Sequence, residues 1–375
     1  MTIGINGFEA VVSRFGYDPK TGLPNRVGSG QYCFELLLNF NEIDKKNNYI
    51  IYIPDNPASD MPQESENWNY KIVKPRKLWT MFGLSFELIL GNSKPDIFFT
   101  PTHYLPLFTS IPSAISILDL SYLHFPQLFK GKDFIQLKYW GRYSIKKAKR
   151  IFTISQASKD DIINLYKIPS EKIIVTYPGI KSQISNLKSQ NMEDLKKKYG
   201  INNPYILFVG TIQPRKNIVR LIEAFSKLKT DVELVIVGRK GWMWEEILVA
   251  PEKFDVEKRV KFLHEIPDDE LPNFYKNAIC FVLPSLYEGF GLPILEAMKY
   301  GCPVLTSNIS SLPEAGGQAA IYFNPENVEE ITKNLKKIIE DLDLRRELAT
   351  KGYEQVKKFS WEKTARETLK ALESI

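Results

Sequence analysis

Two carboxylates, two cations and a group of glycines stand near one another in the C-terminal half of this chain. They lie in Pro284-Ser-Leu-Tyr-Glu288-Gly-Phe-Gly-Leu-Pro-Ile-Leu-Glu296-Ala-Met-Lys-Tyr-Gly301-Cys-Pro303 and in Gly210-Thr-Ile-Gln-Pro-Arg215-Lys216-Asn217. The first segment reads as a strand ending at Leu283, a loop with Gly289 and Gly291, and a helix opening at Pro293 and closing at Gly301. Such a loop exposes main-chain N–H groups at the positive end of a helix dipole, which makes it a cradle for an anion. Glu288 and Glu296 can accept hydrogen bonds from paired hydroxyls, so the expected ligand carries both phosphate and sugar. Arg215 and Lys216, in the turn after a strand, can hold a diphosphate and neutralise its charge as it departs. Taken singly, each piece has a plainer reading: turn-forming glycines, an acid that suits a helix start, a solvated basic turn.

These loops need a scaffold that brings strand ends together. A chain of 375 residues with 43% hydrophobic and 25% charged residues predicts about two globular domains, and argues against a small disulfide module, a fibre or wholesale disorder. Cys33, Cys280 and Cys302 are far apart and form no Cys-x-x-Cys pair, so neither a disulfide framework nor a zinc site is suggested, and a reducing compartment fits. No charged leader precedes an apolar core, and no apolar run reaches the ~18 residues of a membrane span. The expected location is cytoplasmic, peripheral on the inner face of the membrane.

Short apolar runs alternating with helical stretches predict parallel sheets covered by helices. Strands are expected at Tyr49–Ile53, Asp96–Thr100, Ala114–Leu118, Arg150–Ile154 and Lys172–Tyr177, then at Tyr205–Val209, Val232–Val237, Val260–Leu263, Ile279–Leu283 and Pro303–Thr306. Helices are expected after Asn217, at about 327–340, 343–357 and 361–373. The polar stretch Lys181–Asn191 predicts a linker. The domains are then residues 1–182 and 183–358, with 359–375 forming a helix that packs back on the first. In such sheets ligands bind beyond the carboxyl ends of the strands.

Glu288-x₇-Glu296 around Gly-Phe-Gly-Leu-Pro resembles the signature of retaining glycosyltransferases of family 4, in particular bacterial mannosyltransferases of surface polysaccharide assembly. The likeness extends to Gly210–Asn217 and Ser307–Pro325 and, more weakly, through the N-terminal half. It implies the α/β GT-B fold, two Rossmann-like doubly wound domains facing across a cleft that holds a nucleotide-sugar. It implies that Arg215 and Lys216 hold the donor diphosphate, Glu288 the transferred sugar and Glu296 the ribose hydroxyls. The main-chain N–H groups of Phe290, Gly291 and Leu292 would lie nearby, in donor loops that also contain Gly210 and Gly289. Gly28-Ser29-Gly30 resembles the family's glycine loop, which approaches donor phosphate and acceptor from the opposing domain; a plain turn with Ser29 as helix cap explains it almost equally well.

Many relatives place a histidine immediately before the residue equivalent to Asp119, where this chain has Leu118. Asp119 is the expected polar, catalytic contact of the first domain. His103 is read as touching acceptor or sugar, and His124 as an acceptor-side residue or a merely packed one. Ser155 reads as a helix cap. The one Asp-x-Asp, Asp341-Leu-Asp343, falls between the last helices, so no metal and no cofactor beyond the nucleoside diphosphate sugar co-substrate is expected. The implied reaction moves a hexose, first mannose from GDP-mannose, onto a hydroxyl of a glycan or lipid-linked acceptor. A UDP- or dTDP-sugar is the alternative donor, and a non-catalytic two-domain sugar-binding protein the alternative of another class. A nicotinamide dehydrogenase is opposed by the lack of a Gly-x-Gly-x-x-Gly after the first strand of either half.

The formal charge of +6 lies entirely within residues 1–182, which hold 22 Lys and Arg against 16 Asp and Glu. Lys71–Leu90 places four cations before Leu, Trp, Met and Phe, and Lys130–Arg150 is rich in cations with one acid, Asp133, and with Tyr139, Trp140 and Tyr143 between them. That composition suits docking to an anionic membrane surface, or else core-facing aromatics on helices with solvated backs. No nucleic-acid module is recognisable.

Overall fold

A computed structural model describes residues 1–13, 16–129, 131–180, 192–264, 266–267 and 269–375; the expected linker 181–191 lies outside them. The described residues form two parallel sheets in two units, Met1–Gly179 with Ser360–Ile375, and Ile180–Phe359. In the first unit β1 (Thr2–Asn6), β2 (Asn48–Ile53), β3 (Trp68–Ile72), β4 (Ile97–Thr100), β5 (Ser113–Ile117), β6 (Arg150–Thr153) and β7 (Ile173–Val175) lie in the order β3-β2-β1-β4-β5-β6-β7. In the second, β8 (Tyr205–Val209), β9 (Glu233–Val237), β10 (Val260–Leu263), β11 (Cys280–Leu283), β12 (Val304–Ser307) and β13 (Ala320–Phe323) lie in the order β10-β9-β8-β11-β12-β13. Both are doubly wound sheets of the Rossmann type, as expected, and each reverses its strand order beside its first strand.

Central strands such as β5, β9 and β11 are buried along their whole length, which is why they read as unbroken apolar runs rather than as alternation. The helix Ile218–Ser226 buries Ile218, Leu221, Ile222 and Phe225, the stripe its 3.6-residue period requires. In the helix Ser29–Ile43 the buried face is Tyr32, Cys33, Leu36, Leu37 and Phe40. Phe34 and Leu38, apolar neighbours on the same helix, are only half-buried.

The sequence reading omits three strands: β1, β3 and β13. The correction matters most for β1, which pairs with both β2 and β4 at the centre of its sheet. At the other end of the chain, Ser360 caps the helix Trp361–Leu372 by accepting from the Lys363 N–H at 3.2 Å. This helix packs on Ser29–Ile43, with Trp361, Ala365 and Leu372 in the same core as Ile5, Leu36 and Phe152. The Trp361 and Tyr32 rings meet edge-on at 5.8 Å. Gly179 admits this contact, since a Cβ there would lie 2.1 Å from the Trp361 nitrogen. The three cysteines are buried and free. Among the described residues no helix is long and apolar enough to cross a membrane.

Candidate active site

Strands β8 and β11 are neighbours, and the strand order reverses between them. From the carboxyl end of β8 the chain runs through Gly210, whose N–H donates to Val237 O at 2.9 Å, into a single 3₁₀ turn, Pro214–Lys216. From the carboxyl end of β11 it runs through Pro284–Gly291 into the helix Leu292–Lys299. The two exits are stitched together: the Leu286 N–H donates to Arg215 O at 2.9 Å, and the Arg215 guanidinium donates to Tyr287 O.

This stitching brings three expected site residues together. Glu288 is buried, and its Oε1 accepts from Lys216 Nζ at 2.5 Å and from Ser285 Oγ at 2.6 Å, while Oε2 accepts from Arg215 at 3.2 Å. Burial alone would raise its pKa, but the Lys216 and Arg215 charges, with hydrogen bonds from Lys216 and Ser285, bring it from 4.5 down to about 2. Among these three side chains one carboxylate faces two cations, an arrangement that suits an anion.

Sequence reasoning missed the residues that hold this cluster. Ser310 accepts from the Glu288 N–H at 3.1 Å and donates to Glu288 O at 2.5 Å, and Ser311 donates to the same oxygen at 2.8 Å. Ser310 does this from a left-handed backbone, φ 56°, an uncommon conformation for a non-glycine residue. Asn217 is likewise left-handed, φ 58°, and its side-chain amide donates to Pro284 O at 3.1 Å and Pro325 O at 2.7 Å. A buried amide satisfied by two loops fixes the end of the Arg215–Lys216 turn. The asparagine directly after the basic pair was the available signal, since Asn tolerates this conformation better than most residues.

Gly291 has φ 102°, and a Cβ on it would lie 2.8 Å from Leu312 Cδ2. It caps the helix, which opens at Leu292 with Pro293 second, one residue earlier than expected. Gly289 and Phe290 are buried in the loop, where the Phe290 ring meets Phe359 at 5.4 Å. Glu296 is half-buried on this helix, and its Oε2 accepts from Tyr275 OH at 3.0 Å. Burial and then the Glu296 charge push the Tyr275 phenol well above its ordinary value, keeping it a donor. Gly301 ends the helix with φ 70°.

In the first unit the expected residues are dispersed over separate loops. Gly28, φ 54°, is itself the N-cap of Ser29–Ile43, and Ser29 Oγ donates to Glu9 at 3.2 Å, which corrects the reading of Ser29 as the cap. A Cβ on Gly30 would lie 2.9 Å from Glu9 O. Asp119 Oδ1 accepts from Ser121 N at 3.0 Å and Ser121 Oγ at 2.8 Å, turning the chain into the short helix Ser121–His124. His124 Nε2 lies 2.9 Å from Asp161 Oδ2, and half-buried His103 follows β4 beside Tyr104. Ser155 caps Gln156–Tyr166 by accepting from the Ser158 N–H at 3.0 Å. Asp341 caps Leu342–Val356, and the described residues contain no group of three His, Cys, Asp or Glu side chains placed to hold a metal.

Known proteins bear on this geometry. Residues 191–355 match the family described as glycosyl transferases group 1, and residues 32–183 match glycosyltransferase family 4. The O-antigen chain mannosyltransferase B of Escherichia coli is 33% identical over 80% of this chain and 78% of its own length. The Escherichia coli serotype-specific mannosyltransferase WbdA is 35% identical over 59% of this chain, a match that spans 28% of WbdA. Among solved structures, sucrose-phosphate synthase from Thermosynechococcus elongatus superposes with a TM-score of 0.75 at 18% identity, covering 100% of this chain and 98% of that one.

Proposed function

The chain belongs to the family 4 glycosyltransferases, and on that premise we propose that it moves mannose from GDP-mannose onto a hydroxyl of a glycan or lipid-linked acceptor, with retention of anomeric configuration. The observation that carries the reading is the Lys216–Glu288–Arg215 cluster at the switch point of the second sheet. The 33% identity to an O-antigen chain mannosyltransferase supports the choice of sugar.

In this mechanism the diphosphate lies against Arg215 and Lys216 and against the main-chain amides at the start of Leu292–Lys299. Positive charge fixed before the reaction stabilises the negative charge that develops on the leaving group. Glu288, held ionised by its two cations, accepts from hydroxyls of the sugar. Glu296, steadied by Tyr275, accepts from the ribose. An oxygen of the departing phosphate takes the acceptor proton, so the carbon–oxygen bond to the acceptor forms on the face that the diphosphate leaves. Asp119 is assigned as the catalytic polar contact of the first unit, His103 and His124 to the acceptor side, and no metal enters the scheme.

The test is donor hydrolysis and transfer with GDP-mannose beside GDP-, UDP- and dTDP-linked competitors, with the product anomer read by NMR. Turnover of GDP-mannose to an α-linked product is expected. Preference for a UDP- or dTDP-sugar would overturn the donor, and an inverted anomer would overturn the mechanism.

A further inference from the structure

We propose that one face of the first unit, built from residues 78–90, 104–108 and 131–147, docks on a bilayer containing anionic phospholipid. The π-helical turn Trp79–Gly83 runs into the helix Leu84–Leu90. Its inner side, Trp79, Leu84 and Leu88, joins a core with Tyr52, Val73 and Phe98. Its outer side carries Leu78, Phe82, Phe86 and Leu90 at steps of four residues, with Ile89 beside them, all exposed and Leu90 by 75%. Single exposed apolar residues are ordinary on a protein surface, but a continuous row is not.

A second row lies on the helix Gly131–Lys147, where Ile135, Tyr139 and Tyr143 are exposed at the same four-residue step. The sequence separates these rows by some 50 residues, yet the fold joins them through loop 104–108. On one side the Leu107 N–H donates to Met81 O at 3.4 Å, and the Phe108 N–H to Ser85 Oγ at 3.1 Å. On the other, Trp140 Nε1 donates to Leu105 O at 2.9 Å, Lys147 Nζ to Leu107 O at 3.0 Å, and Tyr143 OH to the same carbonyl. Phe108, itself exposed, sits in the seam.

Cations border both rows. Lys71 pairs with Glu87, and Lys74 and Arg76 with Asp55. Lys77, Lys132, Lys138, Arg142 and Lys146 have no carboxylate within ion-pair distance among the described residues. Apolar rows flanked by Lys and Arg are the composition of a surface that inserts side chains between lipid headgroups and gains from their negative charge. A second copy of this chain would bring like charges face to face. A nucleic acid would give Leu78, Ile89, Leu90 and Ile135 nothing to contact. The inference uses no residue of the donor cluster and stands apart from the choice of donor.

Sedimentation with phosphatidylcholine vesicles and with vesicles of equal parts phosphatidylcholine and phosphatidylglycerol tests it. The wild-type chain should bind the anionic vesicles at least about tenfold more tightly, the margin narrowing as salt is raised. Phe86→Glu with Leu90→Glu should lose about tenfold or more in vesicle binding, and Lys138→Glu with Arg142→Glu should abolish the preference for anionic lipid. Both variants should keep wild-type melting temperature and donor hydrolysis. Equal recovery on the two vesicle types, or a Phe86/Leu90 variant that binds as wild type, would overturn the proposal. So would light scattering that shows a wild-type dimer becoming a monomer in that variant. Failure of GDP-mannose as donor would leave the vesicle result untouched.

Discussion

Glu288→Gln separates the electrostatic role of the carboxylate from its contact with substrate. The change is isosteric but removes the charge that both cations face. Lys216 and Arg215 side chains are only 10% and 13% exposed, so they would remain as poorly solvated cations beside a neutral amide. Removing one partner of a buried pair costs about 3–5 kcal/mol, and the lower end applies because Ser285 still offers the amide a hydrogen bond. The net charge of the cluster rises by one. A unit charge ~5 Å from a diphosphate at an effective dielectric of ~20 interacts by about 3 kcal/mol. Screening absorbs about half of this, leaving GDP bound roughly tenfold more tightly. Turnover should fall on the order of a hundredfold, because the sugar hydroxyls then meet a neutral amide in place of an ionised carboxylate. Thermal unfolding gives the first quantity, calorimetric titration of GDP at a temperature where the variant is folded gives the second, and donor hydrolysis the third. A variant with wild-type melting temperature and unchanged GDP affinity would refute the reasoning, since the carboxylate would then not be neutralising those cations.

Three further outcomes follow from the geometry. Because the folded state lowers the Glu288 pKa from 4.5 to about 2, its contribution to stability should be complete above the ordinary carboxylate range and be lost progressively as pH falls from that range through about 2; an acid limb near neutrality in kcat/KM that disappears in Glu288→Gln would contradict this. Gly291→Ala meets both a φ of 102° and Leu312 at 2.8 Å, so urea denaturation should show a loss of about 1–3 kcal/mol together with weaker GDP binding; unchanged titrations would sink it. Trp361→Ala should destabilise the first unit by about 3–5 kcal/mol, read by hydrogen exchange at β1 and helix Ser29–Ile43, while protection in β8 and β11 stays at the wild-type level.

At the sheet centres, legibility in the sequence followed burial. Central strands β5, β9 and β11 stood out because both of their faces are covered. Among the sheet edges, each with one buried residue, β7 and β10 were legible from IIV and VKFL whereas β3 and β13 were not; WNYKI shows neither an apolar run nor a full alternation. β1 escaped because TIGIN is broken by Gly4, a residue needed where a Cβ would meet Pro95 at 2.7 Å. In the site, Arg215, Lys216 and Glu288 were readable because charged residues in the loops after strands are conspicuous, and Glu296 because it follows the glycine loop on the next helix. Ser285, Ser310 and Ser311 were not. Their importance arises from where left-handed and looped backbone delivers a hydroxyl, and residue type alone carries no trace of that.

The closing helix on the first unit has a consequence for biogenesis. Residues 180–359 are an insertion in the sequence of the unit that flanks them, so a ribosome emits the whole second unit while the first still lacks Trp361 and Leu372. During that interval the apolar face of Ser29–Ile43 lacks the helix that covers it in the folded unit. Maturation must finish on the lobe that was translated first.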